Sequence, residues 1–413
     1  MPAVMTPRRV AIVLAAVLMV TLLAAWWTKG RCLGDGGWTG GEQYTEWCYT
    51  DIVPLWFAER LNEGATPYLD HPVEYPVLIG AQMWIAAGIV RVVIPAALSQ
   101  SVAFYVITVL LSAPLYAWAA LRLYRMGVGF RRVLWMIAAP TFMVYAFMNW
   151  DALAVALSVV AIELHRRGRD LPAGVAAGLG AAAKLFPAFL VPIIILARLG
   201  QRRPRAAIQH ALGAAGAWLA VNVPVLLAAP DGWSEFLRLN QTRPADWDSL
   251  WYFLQQVRGV SFDVGTLNLV TAALFLAGSA AIIGYGRRRL SGDEQWRLLL
   301  PVLCWFLLTN KVYSPQFSIW LLPLMALALP NPAAFAAFAV SDLFVFAIRF
   351  PFLGGRQDLT PAPGYNVFAI AILVRAMVML WVIADTLVSP PPRLDPPPAL
   401  ASIFRTRRRA AAQ

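Results

Sequence analysis

KGRCLGDGGWTGGEQYTEWCYTDIVPLWFAERLNEGATPYLDHPVEYP, residues 29–76, is the one long polar passage before a series of apolar segments. It sets Asp35, Glu42, Glu46, Asp51, Glu59, Glu63, Asp70, His71 and Glu74 between two runs that belong in lipid, 10–27 and 75–95. Carboxylates are thereby concentrated at one membrane surface, as the floor of an active site would require. The 413-residue chain around this passage is 60% hydrophobic and only 14% charged, with a mean hydropathy of +0.62. Soluble domains carry about a quarter charged residues, so the composition predicts an all-α polytopic membrane protein. The net charge of +12 does not call for nucleic acid. The excess arginine falls in short clusters between apolar runs, where it directs topology and meets anionic lipid.

Arg8 and Arg9 precede the run 10–27, read as an uncleaved first span with a cytoplasmic N-terminus, which puts 29–76 outside. A crossing by 75–95 would deliver Arg122, Arg125, Arg131 and Arg132 to the outside. That run is therefore expected to dip into or lie along the outer interface, and 52–58 is expected to be a second short external helix. Further runs are expected at 99–121, 133–147, 152–164, 206–229, 264–285, 298–308, 317–329, 333–350 and 367–388. The segment 171–199 is bracketed by cytoplasmic arginine clusters at both ends, so it is read as two short helices meeting at Lys184-Leu185-Phe186-Pro187, with Pro187 supporting the break. The count is about twelve transmembrane segments, several too short for the roughly twenty residues of a full span. One domain is expected over 1–389, with external segments at 29–98 and 230–263, an external loop at 351–366 and a disordered Pro-rich, basic tail at 390–413.

Asp51 enters an apolar helix-like run, where a carboxylate serves either as a cap or as a proton acceptor for an attacking hydroxyl. Glu74, just before Tyr75-Pro76, is the neighbour placed to orient it. Lys184 stands in a run of Ala, Gly, Leu, Phe and Pro. A mid-membrane lysine costs at least about 2.5 kcal/mol and marks a functional site by default. Lys311, Arg91, Arg349 and Arg375 are further cations at or in apolar runs, and Asp342 is available to pair among them. Asn149-Trp150-Asp151 forms a polar corner between two apolar runs. Cys32 and Cys48 share the first loop, either to pair in an oxidising compartment or to remain two thiols; Cys304 reads as a small hydrophobe. Histidines at 71, 165 and 210 are too scattered for a metal site, and neither metal nor cofactor is expected. An external carboxylate base, several cations and a cavity at lipid level together suit a sugar carried on a lipid phosphate.

These pieces resemble a known family. The acidic loop with its Asp51, EYPVLIG from Glu74, GLGAAAKLFPAFLVP around Lys184 and NKVYSPQFSIWLLPL from Asn310 are together similar to the actinobacterial glycosyltransferase 87 family of GT-C membrane mannosyltransferases. The resemblance implies a GT-C-like bundle, a polyprenyl-phosphate-mannose donor, and a glycolipid or lipoglycan acceptor at the bacterial plasma membrane. It also implies inverting attack on the extracytoplasmic side. Asp51 inherits the general-base role and Glu74 the position beside it. Lys184, Lys311, Arg91, Gln316, Tyr313 and Arg349 are the expected donor and phosphate contacts; His71, Trp150 and Asp151 are the expected acceptor contacts. A flippase for lipid-linked saccharides is the alternative reading, although such transporters show repeated halves with matching broken helices, and here the acidic loop has no later counterpart.

Overall fold

A computed structural model describes residues 7–34, 36–95 and 97–394. Asp35 and 395–413, most of the expected tail, lie outside the described residues. The helices are α1 (Pro7–Gly30), α2 (Glu42–Thr45), α3 (Ile52–Ala58), α4 (Val77–Val93), α5 (Gln100–Arg125), α6 (Phe130–Ile137), α7 (Pro140–Tyr145), α8 (Ala152–Arg166) and α9 (Asp170–Ala183). They continue with α10 (Leu190–Gly200), α11 (Pro204–Ala228), α12 (Pro230–Thr242), α13 (Leu250–Arg258), α14 (Val264–Arg289), α15 (Leu299–Thr309), α16 (Ser318–Ala328), α17 (Pro332–Gly355) and α18 (Tyr365–Val388). The protein is all-α and multi-pass. Among the described residues six helices, α1, α5, α11, α14, α17 and α18, are each long and apolar enough to cross a bilayer.

Much of the remaining apolar sequence folds into three shorter hairpins. The first is α6–α7 followed by α8. The run 133–147 is not one helix as expected, because Pro140 has no N–H to continue the ladder and restarts the chain as α7. The second is α9 followed by α10, broken at Lys184, whose backbone is extended, with a single 3₁₀ turn at Phe186–Phe189. The third is α15 followed by α16, with Asn310 to Phe317 at its tip.

Arginines close the base of each hairpin. Arg166 at the end of α8 donates to the Met126 carbonyl before α6 (3.0 Å). Arg198 at the end of α10 donates to the Asp170 carboxylate at the start of α9 (2.7 Å). Arg297, before α15, donates to the Leu327 carbonyl at the end of α16 (2.6 Å). The bases are also tied to one another, through Arg198 to the His165 carbonyl and Arg132 to the Ala326 carbonyl. Fourteen residues of α9 rise about 21 Å, short of the roughly 30 Å hydrocarbon layer, so the tips stop inside the protein. Backbone without helix at that depth needs protein around it, and Lys184, Asn149 and Gln316 are all buried.

The second hairpin is held against α11 by glycines. A Cβ on Gly174 would lie 2.1 Å from the His210 carbonyl, and one on Gly178 2.2 Å from that of Ala214. The Gly174-x-x-x-Gly178 spacing allows the backbones this approach. α4, 17 residues long, starts beside the hairpin tips, and Arg91 near its end donates to the Leu61 carbonyl of the first loop (3.1 Å). The expected loop at 351–366 begins later than its sequence suggests, because α17 runs through Pro351 to Gly355. Cys32 and Cys48 are joined.

The Arg198–Asp170 pair is buried on both sides. Removing one partner from such a pair typically costs about 3–5 kcal/mol. Arg198→Met is therefore expected to lower the unfolding midpoint of the purified protein sharply, and an unchanged midpoint would mean the hairpin base is held by packing alone.

Candidate active site

The three hairpin tips meet the 49–51 segment of the first loop. Thr50 Oγ1 donates to the Phe147 carbonyl (3.0 Å) and the Asp51 N–H to that of Met148 (2.8 Å), sewing the loop onto the first tip. Asp51 stands at the N-terminus of α3, yet its side chain makes no capping hydrogen bond. Instead Oδ1 accepts from the Tyr49 hydroxyl (2.8 Å), and Oδ2 accepts from Asn149 Nδ2 (2.7 Å) and Gln316 Nε2 (3.3 Å). Asp51 thus takes its partners from its own loop and from two hairpin tips, and none from α3.

Asn149 joins Asp51 to the second tip. Its Oδ1 accepts from Lys184 Nζ (3.0 Å) and the Trp150 N–H (2.7 Å), while Nδ2 also donates to the Tyr75 hydroxyl (2.7 Å). Lys184 lies over the Tyr75 ring at 4.5 Å and 3.9 Å from Asp151, whose Oδ1 accepts from Trp320 Nε1 (2.7 Å). Asp151 is the counter-ion that makes a buried lysine tenable. Phe186 and Phe317 stack on the two sides of this region against Trp320.

These groups line a cleft with about 810 Å³ of empty space. Glu74, Asn149, Lys184, Arg243 and Gln316 supply its polar wall, and Leu185, Phe236, Leu239, Phe306 and Phe317 its apolar one. Burial first, and then the nearby Asp51 charge, raise the Glu74 carboxyl above its usual range. The Asp51 charge, with burial second, pushes the Tyr49 phenol well above its usual range, so Tyr49 remains a donor. A carboxylate, an ammonium and a guanidinium facing one half-apolar cleft suit proton removal from a hydroxyl beside a departing anion.

Of the residues expected from sequence, the cleft brings together Glu74, Lys184 and Gln316, with Asp51 bonded at its edge. Asp151 lies behind Lys184, and Trp150 packs between Tyr75 and Phe104. The others lie elsewhere. The Lys311 amine is spent on the Arg243 carbonyl and Asn268 Oδ1, both at 2.6 Å. Arg91 is at the far end of α4. Arg349 binds Asp248 (2.7 Å), and Arg375 lies over Tyr313 and reaches Asp342, in a separate buried ionic cluster. His71 is beside Glu59 (3.7 Å). Sequence reading missed Asn149 and Arg243 as site residues. The polar corner 149–151 was a usable signal for the first; Arg243 was indistinguishable from other interfacial arginines.

Glu59 is buried next to the site, in the first loop, where it accepts from the Glu74 N–H (3.4 Å). Burial is the main cause that pushes its carboxyl up to about 7, with the Glu74 and Glu235 charges adding to it. A carboxyl raised in the folded state costs nothing below its unfolded value, and its cost is complete once pH exceeds the folded one. Glu59→Gln should accordingly raise the unfolding midpoint over the parent above pH 7 and leave it unchanged near pH 4. A pH-independent difference would show that Glu59 does not ionise in this window.

The family model described as Glycosyltransferase family 87 matches residues 87–309. Solved structures similar to the chain include ArnT from Cupriavidus metallidurans bound to undecaprenyl phosphate, at 15% identity and a TM-score of 0.46, covering 90% of this chain and 76% of that one. The apo state of the same ArnT gives 15% identity, a TM-score of 0.44 and the same coverage. The apo oligosaccharyltransferase of Archaeoglobus fulgidus gives 11% identity and a TM-score of 0.42, covering 92% of this chain and 56% of that one. Among curated proteins no sequence matches it.

Proposed function

Because the chain belongs to glycosyltransferase family 87, and is thus a membrane glycosyltransferase, we propose that it moves a sugar, mannose first among candidates, from a polyprenyl-phosphate donor to a hydroxyl of a cell-envelope glycolipid or lipoglycan. The observation that carries this reading is the Asp51–Asn149–Lys184 chain, which ties a base at the edge of the cleft to a cation that lines it. Asp51 takes the proton of the acceptor hydroxyl as its oxygen forms the new bond to the anomeric carbon. The bond from that carbon to the phosphate oxygen breaks on the opposite face, with inversion. Lys184 and Arg243 receive the polyprenyl phosphate that leaves, and Gln316 and Glu74 orient Asp51 and the acceptor. The apolar wall of Leu185, Phe236 and Phe306 suits the first units of a polyprenyl chain.

The arginines support an outward-facing cleft. Arg132, Arg166, Arg198 and Arg297 gather at the hairpin bases, with Arg287, Arg288 and Arg289 at the end of α14. Positive charge favours the cytoplasmic side, which supports a reading in which the tips and the cleft face outward from the bacterial plasma membrane. In a GT-C type enzyme of this kind, membranes supplied with labelled polyprenyl-phosphate mannose should form a labelled glycolipid. Labelling from a nucleotide sugar but from no polyprenyl-phosphate sugar would overturn the proposal.

A further inference from the structure

Arg243, which shares the cleft with Lys184, comes from the end of a helix rather than from its middle. It follows the last residue of α12 in extended backbone, and Pro244 comes next. A residue before proline is pushed out of the helical region, so the ladder stops there and the chain turns through Ala245 to Asp246. A turn with no helix to carry it needs other groups to fix where its arginine points.

Both ends of this turn close on one residue of the third hairpin tip. Lys311 Nζ donates to the Arg243 carbonyl (2.6 Å), and the Asp246 N–H donates to the Lys311 carbonyl (2.8 Å). Asp246 in turn steers the guanidinium, its Oδ2 accepting from Arg243 Nη2 (3.2 Å). The Lys311 amine also donates to Asn268 Oδ1 on α14 (2.6 Å), and Asn268 Nδ2 donates to the Gln241 carbonyl in the last turn of α12 (2.7 Å). Past the turn, Trp251 Nε1 donates to the Thr309 carbonyl beside the same tip (2.8 Å).

The setting of Lys311 is a second observation. The residue is only 5% exposed, both oxygens that its amine meets are neutral, and among the described residues no carboxylate forms an ion pair with it. A buried ammonium without a counter-ion is unfavourable, and an apolar side chain of the same length would fill the place at lower cost. What lysine adds is the pair of directed bonds that fix the end of α12.

We infer that Lys311 is a positioning residue for sugar transfer, clamping both ends of the 243–246 turn so that the Arg243 guanidinium is held on the cleft for the polyprenyl phosphate. The inference rests on the reading of the cleft given above. The third tip then serves both halves of the reaction, with Gln316 reaching Asp51 and Lys311 securing a cation for the leaving group.

Calorimetric titration of the purified full-length protein with farnesyl phosphate, a short polyprenyl monophosphate, tests the clamp in the parent, Lys311→Met, Arg243→Gln and the double variant. Arg243→Gln should weaken binding about 10–100-fold, as expected for one charge-assisted hydrogen bond. Lys311→Met should lose most of that affinity at unchanged stoichiometry, whereas a chain that merely folds less well would lose sites. The double variant should bind no more weakly than Arg243→Gln, because the clamp acts only through the arginine. Lys311→Gln, which keeps a polar group in the buried place, takes the same part if Lys311→Met does not fold. Parent-like affinity in the Lys311 variants, with Arg243→Gln weakened, would overturn the clamp and leave the cleft reading standing. Additive losses in the double variant would put Lys311 on the phosphate itself and would also overturn the clamp. Parent-like affinity in Arg243→Gln would overturn the cleft reading and the clamp together.

Discussion

Asp51→Asn should lower the turnover of sugar transfer by about 10²–10⁴, the range for loss of a positioned proton acceptor, while leaving binding of the lipid-linked donor nearly intact. The substitution is close to isosteric. An asparagine carbonyl in the Oδ2 place still accepts from Asn149 and Gln316, and its amide N–H then meets the Tyr49 hydroxyl, which can turn to accept. What it cannot do is hold the proton that leaves the acceptor hydroxyl. Transfer assayed in membranes at matched protein levels gives the readout. Retained turnover would remove Asp51 from the chemistry and turn attention to Glu74, the carboxylate that lines the cleft.

Lys184→Met should have two effects that a double variant separates. The first is on stability: Asp151, fully buried and 3.9 Å from the amine, is left without its counter-ion, a loss typically of about 3–5 kcal/mol. The second is on the departing phosphate, where one well-placed donor is worth about 10²–10³ in rate. Lys184→Met/Asp151→Asn removes both charges together. Its unfolding midpoint should return most of the way to that of the parent, while transfer should remain as slow as in the single variant. If activity returns with stability, Lys184 serves only to balance Asp151, and Arg243 alone is left to meet the phosphate.

How much could be read beforehand depends on how local the cause is. The break at Lys184 was legible because its causes lie within a few residues: Pro187 next to it, and arginine clusters at both ends of a run too short to cross twice. The same reasoning predicted that 75–95 stays at the outer interface, and Arg91 of α4 does reach back to the first loop. Pro140 split a run that hydropathy shows as continuous, and Pro351 did not end α17. A proline's effect depends on whether neighbouring helices hold the chain on either side of it. Among the cations, partners distant in sequence decided the outcome. Lys311 turns to residues 43 and 68 positions away, and Arg349 to one 101 away. No periodicity or spacing in one chain shows such pairings. Asp51 was ambiguous for the same reason, since the residues that draw it away from α3 come from positions 149 and 316.

The two oxygens of the Asp51 carboxylate are unequal, and that inequality bears on the proposed reaction. Oδ2 is met by two amide groups, Asn149 Nδ2 and Gln316 Nε2, and the former cannot reverse while Lys184 and the Trp150 N–H both point at its oxygen. Hydrogen arriving on Oδ2 would face another hydrogen. Oδ1 meets a phenol, and a phenol can swivel from giving to receiving. Arrival on Oδ1 thus needs only a half-turn of the Tyr49 O–H bond, which makes that tyrosine the latch through which the carboxylate is loaded and later emptied.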